Sequence, residues 1–203
     1  MNISVIIPAY NEEALIKSTI DNIHASLNRH AIIHEIIVIY ETSQDNTESV
    51  LKNLQKNNSY LTIEKNKGLK GFGNSIQHGI EIALGEYVVL MMGDGCDDPE
   101  DLIRFYKKAE EGYDAVFGNR FMPGGSMIGC PLIKSIIVRT ASFSLFMLSS
   151  IPVKDASNGF RLFSRKVLDS INIQSTHGFT YSLEILVKCN RLKWPIKEVP
   201  AEW

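Results

Sequence analysis

The chain has 203 residues, 44% of them hydrophobic and 22% charged, with a formal net charge of -2. That length suits one α/β domain with a sizeable core, the composition excludes a disordered chain, and the near-neutral balance makes nucleic acid an unexpected partner. Residues 3–8 read as a strand, 13–27 as an amphipathic helix and 35–41 as a second strand with several β-branched residues, which together make a βαβ unit. Val50, Leu51 and Leu54 share one face of a helix over 46–57, and a short strand follows at 61–64. The pattern repeats with a helix at 75–84, a strand at 87–91, a helix at 98–111 with Pro99 in its first turn, and a strand at 114–117. Continuous apolar strands separated by helices predict a doubly wound, mostly parallel sheet with helices on both faces and right-handed crossovers.

After Phe117 the rhythm changes to a Gly/Pro-rich loop at 122–126, a long apolar helix near 132–149, a polar segment around Asp155 and a helix opening near 179–184. No repeat or long linker divides the chain, so one domain over 1–203 is expected. Cys96, Cys130 and Cys189 are odd in number and include no CxxC pair, which fits a reducing cytoplasm. No secretion leader is expected, because the apolar opening at 3–7 lacks a basic flank and a cleavage site. The apolar stretch at 141–153, flanked by Arg139 and Lys154, falls short of the ~20 residues that span a bilayer. Its neighbours Phe143, Leu145, Phe146 and Met147 suit core packing, the commoner use, or a membrane surface that guides a lipid tail.

In an open parallel sheet, ligands bind at the carboxyl ends of the strands, where loops converge over a crevice. Unusual polar residues sit at those ends here. Ala9-Tyr10-Asn11-Glu12 follows the first strand, Glu41-Thr42-Ser43 the second, residues 68–73 the third, Gly93-Asp94-Gly95 the fourth and Gly118-Asn119-Arg120 the fifth.

In chain order, SVIIPAYNEE, ETSQDNT, KGFGNSIQHGIEIALGEYVVLM, FGNRF, KDASNGFRLF and the terminal KEVPAEW resemble successive motifs of the family 2 glycosyltransferases. The nearest resemblance is to the dolichol-phosphate and polyprenol-phosphate sugar transferases. It implies a GT-A-like nucleotide-diphospho-sugar transferase fold and an inverting transfer of sugar from a nucleotide-diphosphate sugar. It also implies a divalent cation, Mg²⁺ or Mn²⁺, and a polyprenyl or dolichyl phosphate acceptor, with peripheral contact at the cytoplasmic face of a membrane. Residues 1–118 then form the nucleotide-sugar half and 119–203 the acceptor half. Relatives of this kind usually continue past the motif that ends at Trp203, sometimes with membrane helices, so the reading leaves membrane attachment open.

By position, the resemblance puts Pro8, Tyr10 and Glu12 beside the nucleotide. Glu41 stands where the family has an aspartate that contacts the base, and Tyr40 replaces the other carboxylate of that pair. Gly71 and Gly73 would let the backbone approach the donor where a Cβ would obstruct it. The family's Asp-x-Asp metal motif is here Met92-Gly93-Asp94, so Asp94 is the expected metal ligand, with Asp97 or Asp98 as helpers. A hard cation can rest on one or two carboxylates plus phosphates, whereas a thioether is a poor ligand for it. Arg120 and Arg161 match family motifs and are candidates for catalysis and for the acceptor phosphate. Arg139 and Ser157 join them on the acceptor side, because a guanidinium pairs bidentately with phosphate.

Asp155 is a further catalytic candidate, with pairing to an arginine as its alternative. Glu184 either orders the active-site loops or is an exposed helix charge, His78 reads as structural, and His24, His30, His34 and His177 form no ligand cluster. A phosphate nucleophile is already anionic, so it needs positioning and charge screening more than a strong base. Two rival readings stand beside this one: transfer to a soluble hydroxyl with Asp155 as base, and a sugar-nucleotide-binding protein impaired by Met92 and Tyr40. A dinucleotide oxidoreductase is disfavoured, because the first strand ends in Pro8-Ala9-Tyr10-Asn11 without a GxGxxG turn.

Overall fold

The computed structural model describes residues 1–68, 70–175, 178 and 180–203; Leu69, His177 and Phe179, which the sequence reading includes, lie outside them. Strand β1 (Ile3–Ala9) shows why the strands are continuous apolar runs. All of it is buried, with Ile3, Val5 and Ile7 in one core layer and Ile6 in the other. Each such side chain, fully buried, contributes ~1.5–3 kcal/mol. In β2 (His34–Tyr40), Ile36 and Val38 join the first layer while Ile37 and Ile39 join the second. Helices α1 (Ile16–Arg29), α2 (Thr47–Gln55) and α4 (Pro99–Glu110) cover the first layer. Helices α3 (Phe72–Ile82), α6 (Arg165–Ser170) and α7 (Thr180–Arg191) cover the second.

The sheet also contains β3 (Leu61–Lys65), β4 (Tyr87–Leu90), β5 (Ala115–Asn119), β6 (Arg161–Ser164) and β7 (Ile196–Pro200), in the order β3-β2-β1-β4-β6-β5-β7. The expected series ends at the fifth strand, and two more strands complete the sheet. β6 runs antiparallel between β4 and β5, with Val89 opposite Leu162 and Leu162 opposite Val116. β7 pairs parallel to the far side of β5. The strand order reverses between β1 and β4, which opens the crevice of a doubly wound sheet at their carboxyl ends.

Helix α5 (Leu132–Leu148) departs from the expectation of core packing. Only Ser142 is buried along it, while Leu132, Ile133, Phe143 and Leu148 are 76%, 74%, 62% and 88% exposed. Among the described residues no helix is long and apolar enough to cross a membrane.

At the opposite end of the sheet from the crevice, His24 Nδ1 lies 2.9 Å from His34 Nε2, and the His24 ring stacks on Tyr60 at 3.5 Å. His34 Nδ1 donates to the Ile32 carbonyl, so its Nε2 accepts from His24, and both rings are neutral in this arrangement. Burial lowers the His24 pKa, and the neighbouring His34 adds to that shift, against the opposing pull of Asp21. The unfolded chain therefore binds a proton more readily than the folded one. The stability from the neutral His24 is complete above the unfolded value of 6.5 and declines as the pH falls below it. His24→Phe keeps the stack on Tyr60 but has nothing to protonate. Urea midpoints at pH 7.5 and 5.5 are expected to differ less in this variant than in the wild type.

Candidate active site

The loops after β1 and β2 are laced together by side chains rather than by a ladder. Thr47 Oγ1 accepts from Glu12 N at 2.8 Å, Asp45 accepts from Glu13 N at 3.0 Å, and Asn11 Oδ1 accepts from Gln44 N at 2.8 Å. Ser43 Oγ accepts from Asn11 N at 3.1 Å, which helps hold Asn11 at a positive φ of 57°. This lacing delays α1 to Ile16 and presents Tyr10, Glu12 and Glu41 on one shelf.

A cavity of about 280 Å³ lies above that shelf, lined by Pro8, Tyr10, Glu12, Glu41 and Gly71, together with Phe72, Ser75 and Met92. Five of the six donor-side candidates thus meet in one hollow. Gly73 does not line it; it is buried one residue inside α3. Gly71 caps α3 with φ 143° and ψ 145°, a conformation that L side chains rarely adopt, and its N–H donates to Glu41 Oε1 at 2.7 Å. Phe72 escaped the sequence reading, although its place directly after Gly71 is a usable signal.

Across Met92 lies a second cavity of about 440 Å³, lined by Asp94, Asp97, Arg120, Lys134, Ser157 and Trp203 among others. Arg120 is oriented by Asp155, which accepts from its Nε at 2.8 Å, its Nη2 at 2.9 Å and its backbone N at 3.0 Å. Ser157 Oγ accepts from the same Nη2 at 2.7 Å. Asp155 is fully buried, so its candidacy as a base is corrected: it is the buried partner that aims Arg120. Glu198 accepts from the backbone N–H groups of Lys154 and Asp155 at 2.9 and 3.1 Å and so fixes this loop in turn.

Arg161 is also corrected. It is fully buried and donates to the carbonyls of Asn158, Ala156 and Ser182, with its guanidinium 4.7 Å from the Phe117 ring centre. No face is left to meet an acceptor phosphate. Arg139 is exposed and lines a third hollow of about 370 Å³ with Phe121, Phe143, Phe146 and Lys154. Phe121 links the two sites, with the Arg120 and Arg139 guanidinium carbons 5.4 and 4.7 Å from its ring centre. Glu184 accepts from Gln174 N at 2.9 Å, Ser175 N at 2.7 Å and the Lys188 ammonium, so it orders a loop. Burial raises its pKa, but these donors outweigh burial and hold it at about 2.

Asp94, four residues after the end of β4, lines the second cavity, its Oδ1 accepting from Cys96 N at 3.1 Å. A Cβ on Gly93 would lie 3.3 Å from Ile16 Cδ1 and 3.4 Å from the Pro8 carbonyl oxygen, so the strand end packs closely against β1 and the start of α1. Burial raises the Glu12 pKa, with further increments from Asp94 and Asp45. Burial also raises Asp97 to about 7, with Asp94 adding to the shift while the Met92 N–H and Arg120 oppose it. Carboxylates that repel one another suit a cation. Among the described residues no three His, Cys, Asp or Glu side chains form a ready metal shell. The donor set fits a hard divalent ion that rests on Asp94, with Glu12 or Asp97 close by, and completes its shell with phosphate and water. Met92 supplies no hard ligand.

A shelf at the β1/β4 switch point, with a carboxylate at its lip and an oriented arginine opposite, defines a GT-A-like nucleotide-diphospho-sugar transferase fold. The chain matches the glycosyl transferase family 2 over residues 4–171 and belongs to that family. It is 29% identical to a dolichol-phosphate mannosyltransferase of Pyrococcus furiosus over 98% of this chain and 56% of that protein. It is 26% identical to a polyprenol monophosphomannose synthase of Mycolicibacterium smegmatis over 97% of this chain and 75% of that one. Against the glycosyltransferase AglD of Haloferax volcanii, at 24% identity, it spans 33% of the relative's length. Its fold is similar to that of glucosyl-3-phosphoglycerate synthase from Mycobacterium tuberculosis in complex with Mn²⁺, uridine diphosphate and phosphoglyceric acid. That likeness has a TM-score of 0.74 at 22% identity, covering 98% of this chain and 68% of the other.

Asp97 gives the site a measurable pH signature. Its folded pKa of about 7 exceeds the ordinary aspartate value of 3.8, so the folded state holds the proton more tightly and loses stability as the pH rises from about 4 to 7. The loss is ~4 kcal/mol at its limit. Asp97→Asn is expected to raise the melting temperature at pH 8 and to change it much less at pH 4.5, as scanning calorimetry would show.

Proposed function

We propose that this domain transfers a hexosyl group, with inversion, from a nucleoside-diphosphate sugar to a polyprenyl or dolichyl phosphate at the cytoplasmic face of a membrane. The observation that carries this reading is the hollow beside Arg120, where Phe121, Phe143 and Phe146 line the walls and Arg139 and Lys154 stand at the rim. Lys154 lies 5.7 Å over the Phe146 ring, so both cations rest on aromatic faces. Aromatic walls suit a prenyl chain, and cations suit its phosphate. The exposed apolar face of α5 continues that surface outward and carries Lys134 and Arg139 with no acidic residue, which suits an anionic lipid interface.

Residues 1–118 hold the donor in this reading and residues 119–203 the acceptor. Tyr10, Glu41 and Gly71 seat the nucleotide, and Arg120 with Ser157 positions the acceptor phosphate. An acceptor oxygen forms the new bond to the anomeric carbon while the bond to the nucleoside diphosphate breaks, and that leaving group departs with the electron pair. The acceptor is already anionic, so no base is required. Mg²⁺ or Mn²⁺ held at Asp94, when bound, supplies charge neutralisation of the diphosphate. Asp155 acts as a positioning residue through Arg120.

A second reading, transfer to a soluble hydroxyl, draws support from Asp97, a carboxyl titrating near neutral pH at the second cavity. A transfer assay with lipid phosphate in vesicles and with soluble alcohols separates the two. Arg139→Ala combined with Lys154→Ala is expected to raise KM for the lipid phosphate about tenfold while leaving binding of the nucleoside diphosphate unchanged. Transfer to alcohols alone, abolished by Asp97→Asn, would establish the second reading instead. Met92→Asp adds a hard ligand, and Mn²⁺ titrations with nucleoside diphosphate present are expected to show tighter cation binding by about tenfold. An impaired native site would then also show a large gain in turnover, and an adapted one little.

A further inference from the structure

Resting on the reading that the first cavity holds the donor nucleotide, the geometry points to uracil as its base, so that the donor is a uridine-diphosphate sugar. Glu41 faces the cavity with two unlike oxygens. Oε1 accepts from Gly71 N at 2.7 Å, with Ser75 Oγ and Asn66 Nδ2 each at 3.4 Å, whereas Oε2 accepts from none of the described residues. The commitment of Oε1 is built into the backbone. Gly71 takes a φ of 143° that turns its N–H onto Glu41, and releasing that oxygen would leave the N–H without its acceptor.

One free oxygen discriminates among bases. Guanine presents N1–H and its amino N–H side by side, and a carboxylate reads them with both oxygens. Cytosine and adenine present an amino group with two N–H bonds. Among the four ribonucleotide bases, uracil alone has a pairing edge with a single N–H, flanked by carbonyl oxygens. Oε2 would take that N–H as a charge-assisted bond, and the Ser75 hydroxyl, which lines the same wall and is held only by the long contact to Oε1, can rotate to donate to a flanking carbonyl. The family's aspartate at this position is one methylene shorter. The longer Glu41 reaches the Gly71 N–H and in doing so loses the symmetric fork that guanine needs.

Calorimetric titration of the protein with UDP, GDP, CDP and ADP, each with saturating Mn²⁺, tests the assignment. UDP is expected to bind at least about tenfold more tightly than GDP. In Glu41→Gln the amide oxygen stays on the Gly71 N–H and the amide NH₂ faces the base, opposing the N3–H of uracil but matching the N3 lone pair of cytosine. UDP affinity should fall about tenfold and the UDP preference over CDP should close. GDP, CDP or ADP binding the wild type as tightly as UDP, or an unchanged UDP-to-CDP ratio in Glu41→Gln, would overturn the base assignment and leave the transferase reading standing. Failure of all four diphosphates to bind would remove both.

Discussion

The wall of the second cavity depends on a charge buried without a carboxylate partner among the described residues. Arg161 sits fully inside the protein, where burial lowers its pKa to about 10, so it still carries its proton at neutral pH. Desolvating a guanidinium costs several kcal/mol, and three carbonyl dipoles with the face of Phe117 offset that cost. Two of those carbonyls belong to Ala156 and Asn158, and the third to Ser182 on α7. The loop that carries Asp155 is thereby tied to the last helix. Asp155 in turn fixes Arg120, and Arg120 faces the second cavity.

The first cavity is held by a different device. Its shelf is a mesh of short side chains, Asn11, Ser43, Asp45 and Thr47, each accepting from a backbone N–H of the facing loop. Such bonds satisfy loop amides that no ladder reaches. Met92 lines both the first and the second cavity, so the two halves of the site share one wall. Asp94 follows two residues later and lines the second cavity.

How much of this was legible in the sequence depended on the kind of signal. Strands β1, β2, β4 and β5 announced themselves because both of their faces are covered, which makes each a mostly apolar run, and β3 by its place between two helix signals. β6 did not, since four residues that begin with Arg161 carry no period long enough to read. The donor residues were legible because strand ends and motif order locate them. Arg161 looked available for the opposite reason, and for Asp155 the arginine pairing held rather than the catalytic role: a charged residue in a loop motif looks free, and only the packed structure shows it to be enclosed. Asp97 was legible only as an alternative to Asp98 in helping Asp94, because its burial leaves no mark in the sequence. Asp98 is the residue that caps α4, accepting from Glu100 N at 2.9 Å, which leaves Asp97 buried against Met92 N.

Helix α5 buries one of its 17 residues, so it sheds little water when the chain folds. Its side chains therefore add little to the cohesion of the body, and their identity is set by what they meet outside. Recognition and folding are governed there by separate sets of atoms, which makes that helix the part of the molecule where partner preference can drift across descendants without eroding the scaffold beneath it.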